Sequence, residues 1–281
     1  MVTMLTHRRP AETRRAVREL LEVARAKRVT LCLPADEAAK HRIEAAPFIE
    51  VVDDPGDDIS VCIVLGGDGT ILTALRRYAG ARVPVFAVNF GEIGFLATIE
   101  PDDVEDGFRR AFAGDFEVLK LPGIGTELPD GSAHVAMNDV ALHRRPGQRV
   151  ADLGYAVDRE DLGRVRCDGL VIATPAGSTG YNLANGGPVL AWGVEGFVVS
   201  FIAPHSLTAR ALVVAPTDRL IIHNASKEEP VEVGIDGRPV YALDPAEEVV
   251  ARFLPEQGHL AQIPGSSFYH RLREKFGRLA V

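Results

Sequence analysis

The apolar positions of the first 115 residues switch between two periods. "VTMLT" (2–6), "VTLCL" (29–33), "SVCIVL" (60–65) and "VPVFAVN" (83–89) are short, almost continuous apolar runs, the pattern of strands buried on both faces. Between them the spacing becomes helical. Pro10 opens a helix in which Val17, Leu20, Leu21 and Ala24 fall at i, i+3, i+4 and i+7, and a less regular helical stretch covers 35–46. Residues 70–79 form a third helix, and "PDDVEDGFRRAFAG" (101–114) a fourth that starts at Pro101 with early acids and stops at Gly114. Strand and helix in alternation predict a Rossmann-like parallel sheet covered by helices on both faces.

Beyond residue 115 the texture changes. Strand-length segments now follow one another with turn chemistry between them: "FEVLKL", "SAHVAMNDVALHR", "VADLGYAV", "LGRVRC", "GLVIAT", "EGFVVSFIA", "RLIIHN", "VEVGID" and "VVARFL". Consecutive strands with little helical periodicity predict packed sheets. The expected fold class is therefore an N-terminal Rossmann-like α/β domain (1–115) followed by a β-sandwich domain (116–258). The tail, 259–281, regains helical spacing through Phe268, Leu272 and Phe276 and is expected to pack back on the N-terminal domain.

Composition narrows the function without naming it. At 281 residues, 46% hydrophobic and 25% charged, the chain is long enough for one large domain or two ordinary ones. The net charge of −8, with positive charge scattered in short Arg clusters, argues against a nucleic-acid or membrane partner while leaving room for a local anion site. Cys32, Cys62 and Cys167 are far apart and sit in or beside apolar runs, so they read as reduced, buried thiols rather than zinc ligands. The first ten residues reach charge before a signal segment can form, and no apolar run approaches a membrane span, which predicts a cytoplasmic protein.

Three polar clusters break the apolar pattern. At "GGDGT" (66–70) a buried strand ends in a glycine-rich turn that opens a helix, the place where open α/β sheets bind ligands. Gly66, Gly67 and Gly69 lack Cβ atoms, so backbone N–H groups can close on a phosphate. The helix, expected to begin near Ile71 with Thr70 as N-cap, adds a partial positive charge. The turn is neither a P-loop nor a dinucleotide fingerprint: no GxxxxGK[ST] follows, and GxGxxG from Gly67 needs glycine where Leu72 stands. Asp68 would repel an anion unless it holds Mg²⁺ or takes a proton from an attacking hydroxyl. A plain Asp-Gly chain reversal stays open on spacing alone.

The second cluster is "RCDGLVIATPAGSTGYNLANGGPV" (166–189), where small hydroxyls on a glycine frame suit a nucleoside or phosphate. Its Ala176–Gly180 stretch nearly matches a nucleophile elbow centred on Ser178, with His205 or His223 as possible base. The context opposes that reading, because the elbow belongs between a strand and a long helix, and Pro188 limits any helix from Tyr181 to under two turns. The third is Asn138-Asp139, which interrupts an apolar strand; neighbours on a strand point to opposite faces, so both serve one ligand only at a strand end or bulge.

Taken together and in order, these segments resemble the NAD kinase family. The resemblance rests on GGDGT (66–70), "NFGEIGFL" (89–96), the Asn-acid pair (138–139), "DGLVIATPAGSTGYNLANGGP" (168–188), "APHSL" (203–207) and "IDGRPV" (235–240). It implies a kinase that phosphorylates the adenosine ribose 2′-hydroxyl of NAD to give NADP, with ATP or inorganic polyphosphate as donor and a divalent metal such as Mg²⁺ accompanying the nucleotide. It implies Asp68 as catalytic base, with Gly66, Gly67, Gly69 and Thr70 around the donor phosphates. NAD contacts are implied for Asp68, Gly69, Phe95, Asn138, Asp139, Arg166, Asp168, Thr179, Gly180 and Tyr181. A homotetramer or homodimer is implied as well. Lipid and sugar kinases share the turn, but the family of lipid kinases carries a GTxND-like segment where this chain has "VNFGEIGFL"; a non-catalytic nucleotide sensor would have no need of Asp68. The chain departs from the family pattern in having Asp139 for Glu, Gly180 for Ala, and Ala184-Asn185 where Ser-Ala is usual.

Overall fold

The computed structural model describes residues 1–92 and 94–277; Ile93 of "NFGEIGFL" and the last four positions of the expected helical tail lie outside the described residues. The chain divides into two compact units, Met1–Lys120 together with the segment from Gln257 onward, and Leu121–Glu256.

The first unit alternates strand and helix: β1 (Val2–Thr6), α1 (Pro10–Lys27), β2 (Leu31–Pro34), α2 (Ala35–His41), β3 (Ile49–Val52), β4 (Val61–Gly66), α3 (Asp68–Arg77), β5 (Pro84–Asn89) and α4 (Val104–Ala113), the last preceded by a 3₁₀ turn, Pro101–Asp103. The strands pair in parallel in the order β3-β2-β1-β4-β5. Because side chains alternate across a strand, Val61, Ile63 and Leu65 of β4 join the core that α1 and α4 cover through Val17, Leu20, Phe108 and Ala111. Cys62 and Val64 are equally buried, and Ile71, Ala74 and Leu75 are the buried positions of α3, which packs on β4 and β5. Each such fully buried Leu, Ile or Phe contributes about 1.5–3 kcal/mol. β3, whose burial is only partial, was not expected from the sequence: "IEVV" is too short and too polar to stand out.

The second unit is antiparallel. Its strands are the later part of β6 (Glu117–Glu127), β7 (Ala133–Ala136), β8 (Asp139–Arg144), β9 (Ala151–Val157), β10 (Glu160–Cys167), β11 (Gly169–Ala173), β12 (Phe197–Ile202), β13 (Leu212–Val214), β14 (Arg219–Asn224), β15 (Val231–Ile235), β16 (Arg238–Leu243) and the first part of β17 (Glu248–Gln262), with one helical turn, α5 (Tyr181–Ala184). One sheet runs β13-β12-β11-β8-β15-β16, and a second layer runs β10-β9-β14-β17. Leu142, Leu170, Val199 and Val233 of the first meet Leu153, Leu220, Ile222 and Val249 of the second in one core, which makes the unit a sandwich. The end of β17 pairs in parallel with β5, and α6 (Phe268–Phe276) follows it; both belong to the first unit.

All three cysteines are free and buried, as expected, and burial pushes the Cys62 and Cys167 thiols up to about 12, so neither is a nucleophile at neutral pH.

Candidate active site

In the first unit the strand order reverses between β1 and β4, and such a switch point leaves a crevice beyond the carboxyl ends of the strands. A pocket of about 660 Å³ occupies it, lined by Thr6, His7 and Arg8 after β1, by Lys40 of α2, and by Gly67, Gly69, Thr70, Thr73 and Arg77 of the turn and α3. The sequence located the glycine turn but not Arg8 and Lys40, which come from elements well upstream; only the fold brings them in.

The glycines answer to different demands. A Cβ on Gly66 would meet Cβ of Thr70 at 2.6 Å, and one on Gly91 would meet the Gly67 Cα at 2.7 Å, so the turn closes tightly on itself and on the segment after β5. At Gly69 a Cβ would meet nothing within 4 Å. Of the three glycines expected to admit a phosphate, Gly69 is thus the one facing open space. The helix also starts earlier than expected: α3 begins at Asp68 with Gly67 as N-cap, and Thr70 is an internal residue of its first turn whose N–H bonds the Gly67 carbonyl at 2.9 Å. Thr70 is therefore not the cap; the glycine backbone reaches the extended N-cap geometry itself. Asp68 and Gly69, the first residues of α3, have N–H groups with no intrahelical acceptor, a start that favours an anion.

Asp68 is half-buried, and its carboxylate accepts the N–H of Phe95 at 3.1 Å and the N–H of Leu96 at 3.0 Å. This is more than an Asp-Gly reversal would require. Phe95 contributes by backbone; its ring is buried at 3% exposure, edge-on to Phe268 and near Phe276, with centroids 5.9 Å away in each case. Asp36 and Glu37 line the pocket as well; Glu37 is buried at 4% and accepts from Thr6 Oγ1 at 2.7 Å and from Lys40 Nζ at 2.6 Å, so Lys40 stands at the pocket edge with its charge balanced.

In the second unit the expected break at Asn138-Asp139 is present: β7 ends at Ala136, and β8 begins at Asp139. The break is organised by Asp236, whose carboxylate accepts the N–H groups of Met137, Asn138 and Asp139 at 3.0, 2.7 and 3.1 Å. Asp236 lies in "IDGRPV", and nothing in the spacing of that segment marks it as an acceptor for 137–139. The loop after β11 closes on the same place: Thr174 Oγ1 donates to the Met137 carbonyl at 2.8 Å, and a Cβ on Gly177 would collide with the Asn138 backbone. Gly180 donates its N–H to Gly177 O at 2.9 Å, Thr179 Oγ1 donates to Ala176 O at 3.2 Å, and the Tyr181 ring lies 5.5 Å from that of His143. Asn138, Asp139, Thr179, Gly180 and Tyr181 thus belong to two mutually supporting loops. Asp168 instead binds Arg144 Nε at 2.6 Å, and this partner holds its carboxyl below the usual range. Arg166 is exposed on the edge strand β10, where its carbonyl accepts the His205 N–H at 2.7 Å.

Ser178 settles the hydrolase alternative. It is fully buried, its Oγ donating to the Pro175 carbonyl at 2.7 Å and accepting the Leu190 N–H at 2.9 Å, so the hydroxyl holds a loop and, among the described residues, meets no imidazole. α5 is a single turn, as Pro188 requires.

The Asp139 carboxyl is pushed up to about 7 from 3.8, by burial first and the Asp236 charge second. The neutral form is favoured in the folded chain. Between pH 4 and 7 the unfolded chain ionises first, so the stability present at low pH is lost as pH rises through 7, and the loss levels off above it. Asp139→Asn, which cannot ionise, is expected to raise stability at pH 8 by about 1–3 kcal/mol and to flatten the Tm profile between pH 4 and 7; thermal melts from pH 4 to 8 check it.

A crevice at the switch point of a parallel sheet, entered by a Gly-Asp-Gly turn, and a sandwich with two hydrogen-bonded loops give the chain one mixed α/β unit and one all-β unit, with a helix start suited to an anion. The ATP-NAD kinase N-terminal domain family matches residues 7–116 and the ATP-NAD kinase C-terminal domain family matches residues 137–258. The NAD kinase of Gemmatimonas aurantiaca is 36% identical over 224 residues, 78% of each chain, and that of Carboxydothermus hydrogenoformans is 32% identical over 231 residues, 81% of this chain and 82% of the other. A yeast NADH kinase complexed with NADH matches with a TM-score of 0.88 at 24% identity, over 100% of this chain and 88% of its own. An NAD kinase from Archaeoglobus fulgidus in complex with ATP matches with a TM-score of 0.71 at 24% identity, over 99% and 98%. At such identities the two structures establish the fold. The chain belongs to the NAD kinase family.

Proposed function

We propose that the two units divide the work of NAD phosphorylation, the first holding the donor and the base, the second recognising the adenosine end of NAD. The enzyme is an NAD kinase: a phosphoryl group passes from ATP to NAD, giving NADP and ADP. In this reading the 2′-oxygen of the adenosine ribose forms the new P–O bond, the bond to the donor's bridging oxygen breaks, and Asp68 takes the hydroxyl proton. The observation that carries it is the clamped Asp68 carboxylate: two amides fix its orientation and still leave about two of its roughly four lone-pair sites for a hydroxyl.

Phosphoryl transfer asks the protein mainly to position groups and offset charge. Gly69, Thr70 and the cations Arg8 and Arg77 supply this around the pocket, with Lys40 paired to Glu37 at its edge and Gly66 and Gly67 shaping the turn. A divalent ion accompanying the donor would be held chiefly by the donor's own phosphates. Such an ion neutralises phosphate charge when bound. Asn138 and Asp139 are assigned to the adenosine part, Asp168 to the nicotinamide end, Thr179, Gly180 and Tyr181 to the dinucleotide, Arg166 to a phosphate, and Phe95 to the site through its backbone rather than its ring. The exposed Leu207 and Val213, the latter on edge strand β13, support a homodimer or homotetramer; a monomer mass in sedimentation would overturn that part. No described helix is long and apolar enough to cross a membrane, and three buried free thiols suit a reducing cytoplasm.

One incubation of the chain with NAD and Mg²⁺, in parallel with ATP and with inorganic polyphosphate, assayed for NADP, tests acceptor and donor together. No NADP from ATP removes the reading; NADP from polyphosphate places donor selection on the phosphates alone. Arg8, exposed in the pocket, is expected to act on the donor side: Arg8→Ala should raise KM for ATP about three- to tenfold and leave KM for NAD unchanged in steady-state kinetics.

A further inference from the structure

The groups that orient Asp68 are themselves held from the far end of the chain. Phe95 and Leu96 lie in the irregular segment after β5, which has no helix or strand of its own to aim its amides at the carboxylate. Its later part is tied to the sheet, since Thr98 N–H donates to the Ala87 carbonyl at 2.8 Å and Thr98 Oγ1 to the Ala261 carbonyl at 2.8 Å. The stretch 95–97 depends instead on Arg271 of α6. One guanidinium nitrogen of Arg271 donates to the carbonyls of both Phe95 and Ala97, and the other donates to Oε1 of the buried Gln262, at the end of β17, at 2.5 Å.

We propose that Arg271 is a positioning residue for phosphoryl transfer, acting through the 95–97 backbone to aim the Phe95 and Leu96 amides at the Asp68 carboxylate. The inference rests on Asp68 being the base. A planar guanidinium can bridge two carbonyls and an amide oxygen in one fixed geometry, and an ammonium cannot. Packing of the Phe95 ring against Phe268 and Phe276 keeps the segment near α6 even without the charge, so what Arg271 adds is angle and register. A misplacement of about 1 Å at a reacting group costs on the order of a hundredfold in rate.

A plain structural role for α6 makes a different forecast. Lys275, on the same helix, reaches Glu100 at 3.5 Å and touches neither amide. In steady-state kinetics on the full chain, Arg271→Ala and Arg271→Lys are expected to lower kcat about 10- to 100-fold with KM for NAD changed by less than about threefold. Lys275→Ala should stay within about twofold of the parent. Added to Asp68→Asn, Arg271→Ala should cost less than about twofold more, because its effect passes through the side chain already lost. If Arg271→Ala fails to fold, Arg271→Lys carries the same comparison. A full additional loss in the Asp68→Asn background, an equal loss from Lys275→Ala, or a rise in KM at constant kcat would overturn the positioning role. Near-normal turnover of Asp68→Asn by itself would instead remove the base assignment on which the inference stands.

Discussion

Asp68→Asn is expected to bind NAD with affinity close to the parent and to turn over at least about a hundredfold more slowly, the lower end of what a general base contributes. The substitution is close in shape, so the turn between β4 and α3 keeps its form. Its chemistry differs in one respect that matters twice. An amide cannot take the proton of the ribose hydroxyl, and its NH₂ group faces one of two backbone N–H donors that the carboxylate now satisfies, at 3.1 and 3.0 Å. One of the two clamps is therefore lost, at a cost of about 1–2 kcal/mol in stability. Calorimetric titration with NAD beside a turnover assay separates the two effects, and turnover within a few-fold of the parent would mean that Asp68 is not the base.

The second large effect is expected at a residue that need not touch the reacting atoms. Asp236→Ala removes the acceptor of three successive N–H groups, those of Met137, Asn138 and Asp139, and so releases the break between β7 and β8 on which the assigned adenosine contacts stand. Hydrogen bonds to a charged group contribute about 1.5–3 kcal/mol each before their overlap is counted, so NAD affinity should fall on the order of 10- to 100-fold and stability by about 2–4 kcal/mol. Asp236 has φ +46°, which alanine adopts with strain and asparagine more readily. Asp236→Asn, which keeps one acceptor oxygen as well as the easier backbone, is therefore expected to lose less than Asp236→Ala. Both also remove the like charge beside Asp139, which lets that carboxyl move back toward the ordinary range. NAD titrations and thermal melts of the two variants check the result; unchanged affinity in both would detach the break from dinucleotide binding.

The architecture was legible because it follows from local periodicity. Four of the five strands of the first unit's central sheet and all its main helices lie near where the apolar spacing puts them, and the missing one, β3, carries too little apolar signal to be seen. The Asn138-Asp139 break was readable for the same reason: two adjacent polar residues cannot both be accommodated inside a buried strand. Less was visible about why each glycine stands where it does. Gly66 and Gly67 make room for Thr70 and Gly91, contacts that spacing does not encode, while Gly69 alone of the three opens on space.

What the sequence by itself determined was the kind of sheet in each half, the place where a strand empties into a glycine turn, and the presence of a carboxylate among groups suited to phosphate. Those are properties of short windows, set by side-chain volume, hydrogen-bonding capacity and period. What only the tertiary structure decided was which distant groups hold that chemistry in place: Arg8 and Lys40 at the pocket, Asp236 beneath the amides of 137–139, and Arg271 behind the amides that meet Asp68. The physical reason is that hydrogen bonds and charges act over a few ångströms of space, whatever the separation along the chain. Residues 68, 95 and 271 become neighbours only once the sheet has formed and α6 has folded back beside it.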